Sequence, residues 1–161
     1  MLNGYLRMSR QVVVPVVIDT NILVPSLYSR TRLFDFVLKG NLVWVWNSFI
    51  YNEAVEIIAR LGPLYKKKTD VDPYDVVNLL NLVFDESDKV REMPTDWPPA
   101  SPDRDDDPFL FAAETGGAEY IISADYRHML KLDNFKEIPI GTPRDFFSWA
   151  KKNRPLKEIR F

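Results

Sequence analysis

Residues 12–21 read Val-Val-Val-Pro-Val-Val-Ile-Asp-Thr-Asn, a run of β-branched residues that ends at an aspartate. A nearly continuous apolar run is typical of a strand that is buried on both faces of a parallel sheet. Pro15 lacks a backbone N–H, so we expect residues 16–18 to form the central part and the earlier valines to extend an edge. Asp19 follows this strand directly, at the carboxyl end where open α/β sheets bind ligands.

The rest of the chain alternates predicted helices with short predicted strands. Helices are expected over residues 31–39, from Ser48 as N-cap to about Leu61, from Asp72 to about Phe84, over 108–115 and over 143–153. Strands are expected over 42–46, 120–123 and 138–140, and Gly62-Pro63 is a helix stop signal. This alternation predicts the α/β class, as a three-layer α/β/α sandwich with a mostly parallel sheet. With 161 residues and no linker, we expect one domain over residues 1–161.

The composition excludes several kinds of site. The chain has no cysteine, which excludes disulfides, thiolate zinc sites and thiol nucleophiles. The longest apolar run has seven residues, far fewer than the roughly 20 that cross a bilayer, so we expect a cytoplasmic protein without a membrane span. The formal charge of −2 does not indicate a nucleic-acid binder, but setting aside four metal-binding carboxylates would change it to +2. The net charge therefore decides nothing about nucleic acids.

Asp125 follows the predicted strand 120–123, in Tyr-Ile-Ile-Ser-Ala-Asp. Carboxylates at the ends of two parallel strands can converge without being neighbours in sequence, so Asp19 and Asp125 are candidates for one site. A turn aspartate that bonds its own backbone is the ordinary alternative for each of them.

Four aspartates, at positions 103, 105, 106 and 107, precede Pro108 and the predicted helix. Helix capping explains one or two of them, with Asp107 as N-cap and Pro108 as the first helical residue. Four acids within five residues repel one another unless a positive charge lies nearby. The run therefore favours a metal site over capping alone.

Glu53 borders an apolar stripe on the helix predicted to begin at Ser48. At 100° per residue it lies at the margin of the face formed by Ile50, Ala54, Ile57, Ile58 and Leu61, and it can lean over the sheet edge. A solvated glutamate is the commoner role. A set of Asp19, Glu53, one aspartate of the run and Asp125 would suit Mg²⁺ or Mn²⁺, which prefer oxygen ligands.

Four segments in this order resemble the PIN domain family, and most closely its bacterial and archaeal VapC-like toxins. They are Val-Val-Ile-Asp-Thr-Asn-Ile-Leu-Val around Asp19, Asn-Ser-Phe-Ile-Tyr-Asn-Glu up to Glu53, Asp-Arg-Asp-Asp-Asp-Pro-Phe-Leu-Phe-Ala-Ala over 103–113, and Tyr-Ile-Ile-Ser-Ala-Asp up to Asp125. The likeness covers roughly residues 12–149 and leaves residues 1–11 as an N-terminal extension. It implies a PIN-like fold, a Mg²⁺- or Mn²⁺-dependent ribonuclease, a small antitoxin partner and a homodimer.

The resemblance also implies residue roles. By motif position Asp19, Glu53, Asp106 and Asp125 are the catalytic metal ligands, and Asp103 is an accompanying acid. Asp106 is selected because the family aspartate lies seven residues before a helical alanine, here Ala113, although Asp105 and Asp107 remain alternatives by one position. Thr20, Asn21 and Ser123 occupy the places of small polar residues that support the site, with Ser123 where the family usually has threonine.

Single-stranded or looped RNA is the expected substrate, because its unpaired bases are accessible. Arg127 and Lys131, and also Arg30 and Arg32, are candidates for phosphate contacts, although solvated charge is the commoner role for each. His128 is expected to be a surface residue, with contact to a substrate phosphate as the less common alternative.

Two other functions compete with the ribonuclease. A catalytically idle PIN module that binds RNA or a protein partner would keep the fold without the chemistry. An aspartyl-phosphate phosphatase is disfavoured, because Asn21 stands where such an enzyme needs a second aspartate.

Overall fold

A computed structural model describes residues 13–154 and shows a sheet of five strands. The strands are β1 (Val14–Ile18), β2 (Leu42–Trp44), β3 (Tyr120–Ile122), β4 (Asn134–Phe135) and β5 (Ile138–Gly141), in the order β2-β1-β3-β5-β4. Neighbouring strands are parallel except β4 and β5, which are antiparallel. The predicted α/β class with a mostly parallel sheet is confirmed, whereas the proposed extension over residues 1–11 lies outside the described residues.

β1 is an interior strand that lies between β2 and the central strand β3. Its residues 16–18 pair with residues 120–122 of β3, so pairing with β3 begins one residue after Pro15. Pro15 still contributes its carbonyl, which accepts a hydrogen bond from the backbone N of Glu119 at 2.8 Å. Val16 and Val17 are both 0% exposed, and successive side chains of a strand point to opposite faces. Both faces of the sheet are therefore covered, as a three-layer sandwich requires.

Seven helices flank the sheet within residues 13–154. They are α1 (Thr20–Ser29), α2 (Arg32–Leu38), α3 (Ser48–Thr69), α4 (Pro73–Val83), α5 (Asp107–Thr115), α6 (Met129–Leu132) and α7 (Pro143–Asn153), with 3₁₀ turns at Glu86–Asp88 and Arg104–Asp106. α2 contacts α7 through the rings of Phe36 and Phe147, whose centroids are 5.1 Å apart, and α5 packs against β1. None of the helices in this range is long and apolar enough to span a bilayer.

The sequence patterns predict no element where α1 lies. Pro25 is inside this helix and removes one backbone donor, which argues against a helix on local grounds. Leu23, Val24 and Leu27 are almost completely buried, so the contacts with the rest of the fold stabilise α1 despite the proline. Asp19 is the N-cap of the helix, and its Oδ1 accepts a hydrogen bond from the backbone N of Asn21 at 3.1 Å.

α3 continues past Gly62-Pro63 to Thr69, so the predicted stop at Leu61 is wrong. Gly62 is buried, and a Cβ there would lie 2.7 Å from Cγ of Pro73, at the start of α4. The glycine therefore allows the two helices to approach closely. Beyond it the ring of Tyr65 stacks on that of Tyr28, with centroids 4.4 Å apart, and this contact holds the additional turns against α1.

Several predicted boundaries shift by one or two residues. The N-cap of α3 is Asn47 rather than Ser48, because the buried Asn47 side chain accepts the hydrogen bond from the backbone N of Ile50 at 3.0 Å. β2 and β3 end at Trp44 and Ile122, slightly before their predicted ends. The helix predicted from Asp72 is confirmed as α4, with the Asp72 side chain as its cap.

Candidate metal centre

Four elements bring the predicted acidic residues to the carboxyl end of the sheet. Asp19 follows β1, and Asp125 lies three residues beyond the end of β3. Glu53 is on the second turn of α3, and Asp106 is the N-cap of α5. The backbone N of Asp19 donates to the carbonyl of Ile122 at 2.9 Å, so the ends of β1 and β3 are joined at this edge.

Ser123 connects Asp19 with Asp125. Its hydroxyl is fully buried and donates to Oδ2 of Asp19 at 2.9 Å, while its Oγ accepts from the backbone N of Asp125 at 3.0 Å. Oδ1 of Asp125 is held in turn by the backbone N of Arg127 at 3.0 Å and that of His128 at 3.3 Å. The two strand-end carboxylates are therefore oriented by short, local contacts.

Glu53 is joined to the same edge by Thr20. The Thr20 hydroxyl, at the start of α1, donates to Oε2 of Glu53 at 3.2 Å. Burial raises the pKa of Glu53 to about 7, and the negative charges of Asp19, Asp106 and Asp105 add to the increase. Glu53 therefore leans from the margin of α3 into the crevice, as the sequence pattern allows.

Asp106 lies close to several other carboxylates. Burial is the main reason that the pKa of Asp106 is raised to about 6. The negative charges of Asp125, Asp103 and Asp19 raise it further, and His128 lowers it. Its Oδ2 is buried and makes no hydrogen bond within the described residues.

The pKa of Asp19 is also raised. Burial raises its pKa above the ordinary value, hydrogen bonds from Asn21 and Ser123 oppose the increase, and the charge of Asp125 adds to it. The arrangement thus holds several carboxylates close together, with His128 beside them.

His128 belongs to this cluster and is also partly exposed. Its Nδ1 lies 3.4 Å from Oδ2 of Asp125 and 3.8 Å from Oδ2 of Asp106, and its side chain is 35% exposed. The sequence analysis missed this residue as a candidate ligand. Its position three residues after Asp125, in the same turn, was the available signal.

The donor atoms fit a divalent cation. One ligand atom from each of Asp103, Asp106 and His128 lies within 4.8 Å of the others. Within residues 13–154, these three side chains are therefore close enough together to bind one metal ion. Oxygen ligands with one imidazole are compatible with Mg²⁺ and Mn²⁺ and also with softer divalent ions. A cation here would satisfy the unpaired Oδ2 of Asp106. Asp19, Glu53 and Asp125 lie outside this group of three. The charges of Asp19 and Asp125 raise the pKa of Asp106, and the charge of Asp106 raises that of Glu53.

The other aspartates of the run have different environments. Asp107 is completely buried, and its carboxylate accepts from the backbone N of Ser101 at 2.8 Å and from Nη1 of Arg104 at 2.8 Å. The predicted N-cap role of Asp107 is wrong, because α5 begins at Asp107 itself and Asp106 is the N-cap, although without a side-chain capping bond. Asp105 is exposed and donates its backbone N to Oδ1 of Asp103 at 3.0 Å.

The predicted phosphate-binding residues are spread over the surface. Arg127 and Lys131 are exposed and follow Asp125 closely in sequence. Arg30 and Arg32 lie beyond the opposite end of the ten-residue α1, about 15 Å along its axis from Asp19. Their distance argues against contact with a phosphate held at the carboxylates. Asn21 is exposed at the start of α1, next to Asp19.

A family model described as PIN domain matches residues 15–127, which is more than half of the chain. The matched range contains Asp19, Glu53, Asp106 and Asp125. No curated protein and no solved structure is similar enough to the chain to count as a match.

Proposed function

Because this chain belongs to the PIN domain family, whose members are generally nucleases, we propose that it is a metal-dependent endoribonuclease. The reaction would be hydrolysis of phosphodiester bonds in RNA. One observation carries the proposal: four carboxylates from separate elements meet at one sheet edge, joined by Thr20, Ser123 and His128. Such a concentration of negative charge is costly unless a cation binds to it.

We assign the catalytic role to Asp19, Glu53, Asp106 and Asp125, with Asp103 as a further metal ligand. His128 joins them because its Nδ1 faces both Asp106 and Asp125. Mg²⁺ or Mn²⁺ bound here would polarise a phosphoryl oxygen and lower the pKa of a bound water.

The polar residues around the carboxylates have a positioning role in this proposal. Ser123 and Thr20 each donate to one oxygen of a carboxylate, which restricts the rotation of the Asp19 and Glu53 side chains. The backbone N–H groups of residues 127 and 128 hold Oδ1 of Asp125 and leave Oδ2 directed at His128. Partners of this kind orient metal ligands and commonly change metal affinity 10- to 100-fold when they are removed.

We also propose a cellular role as the cytoplasmic toxin of a toxin–antitoxin pair, acting on RNA and bound by a small antitoxin. The support is the resemblance of the four acidic segments to VapC-like toxins. A homodimer is proposed with α4 as a candidate interface, because Tyr74 and Leu82 on this helix are 83% and 78% exposed. Induced expression of the wild type and of Asp19→Asn, followed by growth curves, tests the toxin role, and light scattering tests the dimer.

Calorimetric titration of Mn²⁺ into the wild type and Asp19→Asn tests the metal centre. We expect saturable binding by the wild type and affinity reduced by more than about tenfold in the variant. Asp96→Asn removes an exposed carboxylate outside the cluster and is the matched control. Equal binding by all three proteins would refute the proposed centre.

A screen of single-stranded and looped RNAs then tests catalysis. Cleavage that requires Mn²⁺ and is lost in Asp19→Asn supports the nuclease. Mn²⁺ binding without cleavage of any RNA would instead favour an idle PIN module.

A further inference from the structure

A groove of about 650 Å³ lies between α1, α2 and α7. Its floor is apolar and includes Ile22 and Pro25 of α1, Leu33 of α2 and Phe147 of α7. A volume of this size is in the range of sites that bind small organic ligands or part of a polymer. The groove is separate from the carboxylates, none of which lines it.

The charged residues of this groove are all basic. Arg32, Arg144 and Lys151 line it, and no acidic residue does, although the whole chain carries a formal charge of −2. A groove on another part of the protein, next to β2, is lined instead by Asp85 and Asp88. The contrast indicates an anionic occupant between α1 and α7.

The groove reaches the proposed metal centre through Asn21. This residue lines the groove, and its backbone N donates to Oδ1 of Asp19 at 3.1 Å. Arg144 is on the first turn of α7, directly after β5, and the carbonyl of Gly141 at the end of β5 accepts from the backbone N of Ser123 at 2.9 Å. The mouth of the groove is therefore at the same edge of the sheet as the carboxylates.

Two basic residues of α7 line the groove. Arg144 and Lys151 are seven residues apart on one helix, which puts them on the same face and about 10 Å apart along its axis. Both side chains are exposed, and neither forms an ion pair with an acidic residue in the range 13–154. Phe147 lies between them in sequence, and the guanidinium of Arg32 lies over its ring, 4.2 Å from the centroid.

We propose that this groove binds the single-stranded RNA segment that flanks the scissile phosphate. The proposal rests on the proposed function, since it makes the groove a substrate-binding extension of the metal centre. Single-stranded nucleic acid combines regularly spaced phosphates with flat bases, which stack on aromatic rings and arginine planes. Arg144 and Lys151 would bind phosphates, and the apolar floor with the Arg32–Phe147 pair would contact bases.

Fluorescence anisotropy with a labelled single-stranded RNA of mixed sequence, about 12 nucleotides long, tests the groove. The titration is done in EDTA, so that neither metal binding nor cleavage contributes. The double variant Arg144→Glu/Lys151→Glu is compared with Lys67→Glu/Lys68→Glu, which makes the same charge change on exposed residues of α3. The double variant Arg144→Gln/Lys151→Gln removes the two positive charges without reversing them. Thermal unfolding of each variant shows whether it is folded.

We expect the groove variant to bind this RNA at least about tenfold more weakly, and the slope of log affinity against log salt to fall by about 1.4, for two lost phosphate contacts. The α3 variant should stay close to the wild type. The proposal is overturned if both variants lose affinity equally, if the wild type binds no RNA, or if a labelled acidic peptide binds the groove more tightly than RNA.

Mn²⁺ titration and RNA cleavage by the same proteins separate this proposal from the nuclease. We expect the groove variant to bind Mn²⁺ as the wild type does. RNA binding that depends on Arg144 and Lys151, without cleavage by the wild type, would support the groove and contradict the nuclease. Cleavage that is unchanged in the groove variant, with unchanged RNA affinity, would support the nuclease and overturn the groove.

Discussion

Asp106 and Asp107 are consecutive residues whose carboxylates serve different parts of the structure. Oδ2 of Asp106 is buried among the clustered carboxylates, 3.8 Å from Nδ1 of His128, and makes no hydrogen bond within the described residues. The carboxylate of Asp107 is completely buried on another side, where it accepts from Ser101 and forms an ion pair with Arg104 at 2.8 Å. The first is thus available to a cation, and the second stabilises the loop that precedes α5.

The matched variants Asp106→Ala and Asp107→Ala should therefore affect different properties, metal affinity in the first and stability in the second. Asp106→Ala should reduce Mn²⁺ affinity by more than about tenfold with little loss of stability, because it removes a carboxylate without a hydrogen-bond partner. Asp107→Ala should lower the free energy of unfolding by about 2–4 kcal/mol, because it removes a completely buried carboxylate and leaves the Ser101 N–H and the Arg104 guanidinium without this partner. Urea unfolding and calorimetry measure the two quantities. Loss of stability in Asp106→Ala with intact Mn²⁺ binding would reverse the assignment.

Ser123→Ala should weaken Mn²⁺ binding about 10- to 100-fold, because Ser123 orients both Asp19 and Asp125. Ser123→Thr keeps the hydroxyl and should retain most of the affinity. Calorimetry of the three proteins provides the comparison. If the alanine and threonine variants lose the same affinity, the effect comes from packing at this buried position and not from the hydroxyl.

Without metal, the stability of the protein should fall as the pH rises. The folded-state pKa values of Glu53 and Asp106, about 7 and about 6, exceed their ordinary values, so the folded protein binds more protons than the unfolded chain between about pH 4 and pH 7. We expect the free energy of unfolding in EDTA to decrease by about 1–3 kcal/mol between about pH 5 and pH 8, after allowance for solvent screening.

Glu53→Gln should remove part of this pH dependence and stabilise the protein near pH 8. Glu56→Gln, at an exposed position of the same helix, should do neither. Urea unfolding at several pH values measures both. A stability that rises over this range in EDTA would contradict the raised pKa values.

His128→Ala should change the metal preference as well as the affinity. Because imidazole binds Ni²⁺ better than hard cations, loss of this ligand should weaken Ni²⁺ binding about tenfold more than Mn²⁺ binding. Calorimetric titrations with both ions measure the ratio, and His128→Asn offers an oxygen ligand at the same place. Equal losses for the two ions would show that His128 does not bind the metal.

Much of the fold could be predicted from local sequence. The β-branched run before Asp19 and the turn signals between later elements determine a mostly parallel α/β sheet, because strand burial and turn geometry depend on neighbouring residues. Strand ends also place Asp19 and Asp125 at one edge, since parallel strands share their carboxyl ends.

Only the tertiary structure decided the remaining features. α1 forms despite Pro25, and α3 continues past Gly62, because contacts with distant residues such as Pro73 outweigh local preferences. The different surroundings of Asp105, Asp106 and Asp107, and the position of His128 beside Asp106, depend on how the loop before α5 folds against the turn after β3. The bond from Ser123 to Asp19 spans 104 residues, and no local pattern encodes a contact between residues so far apart in the chain.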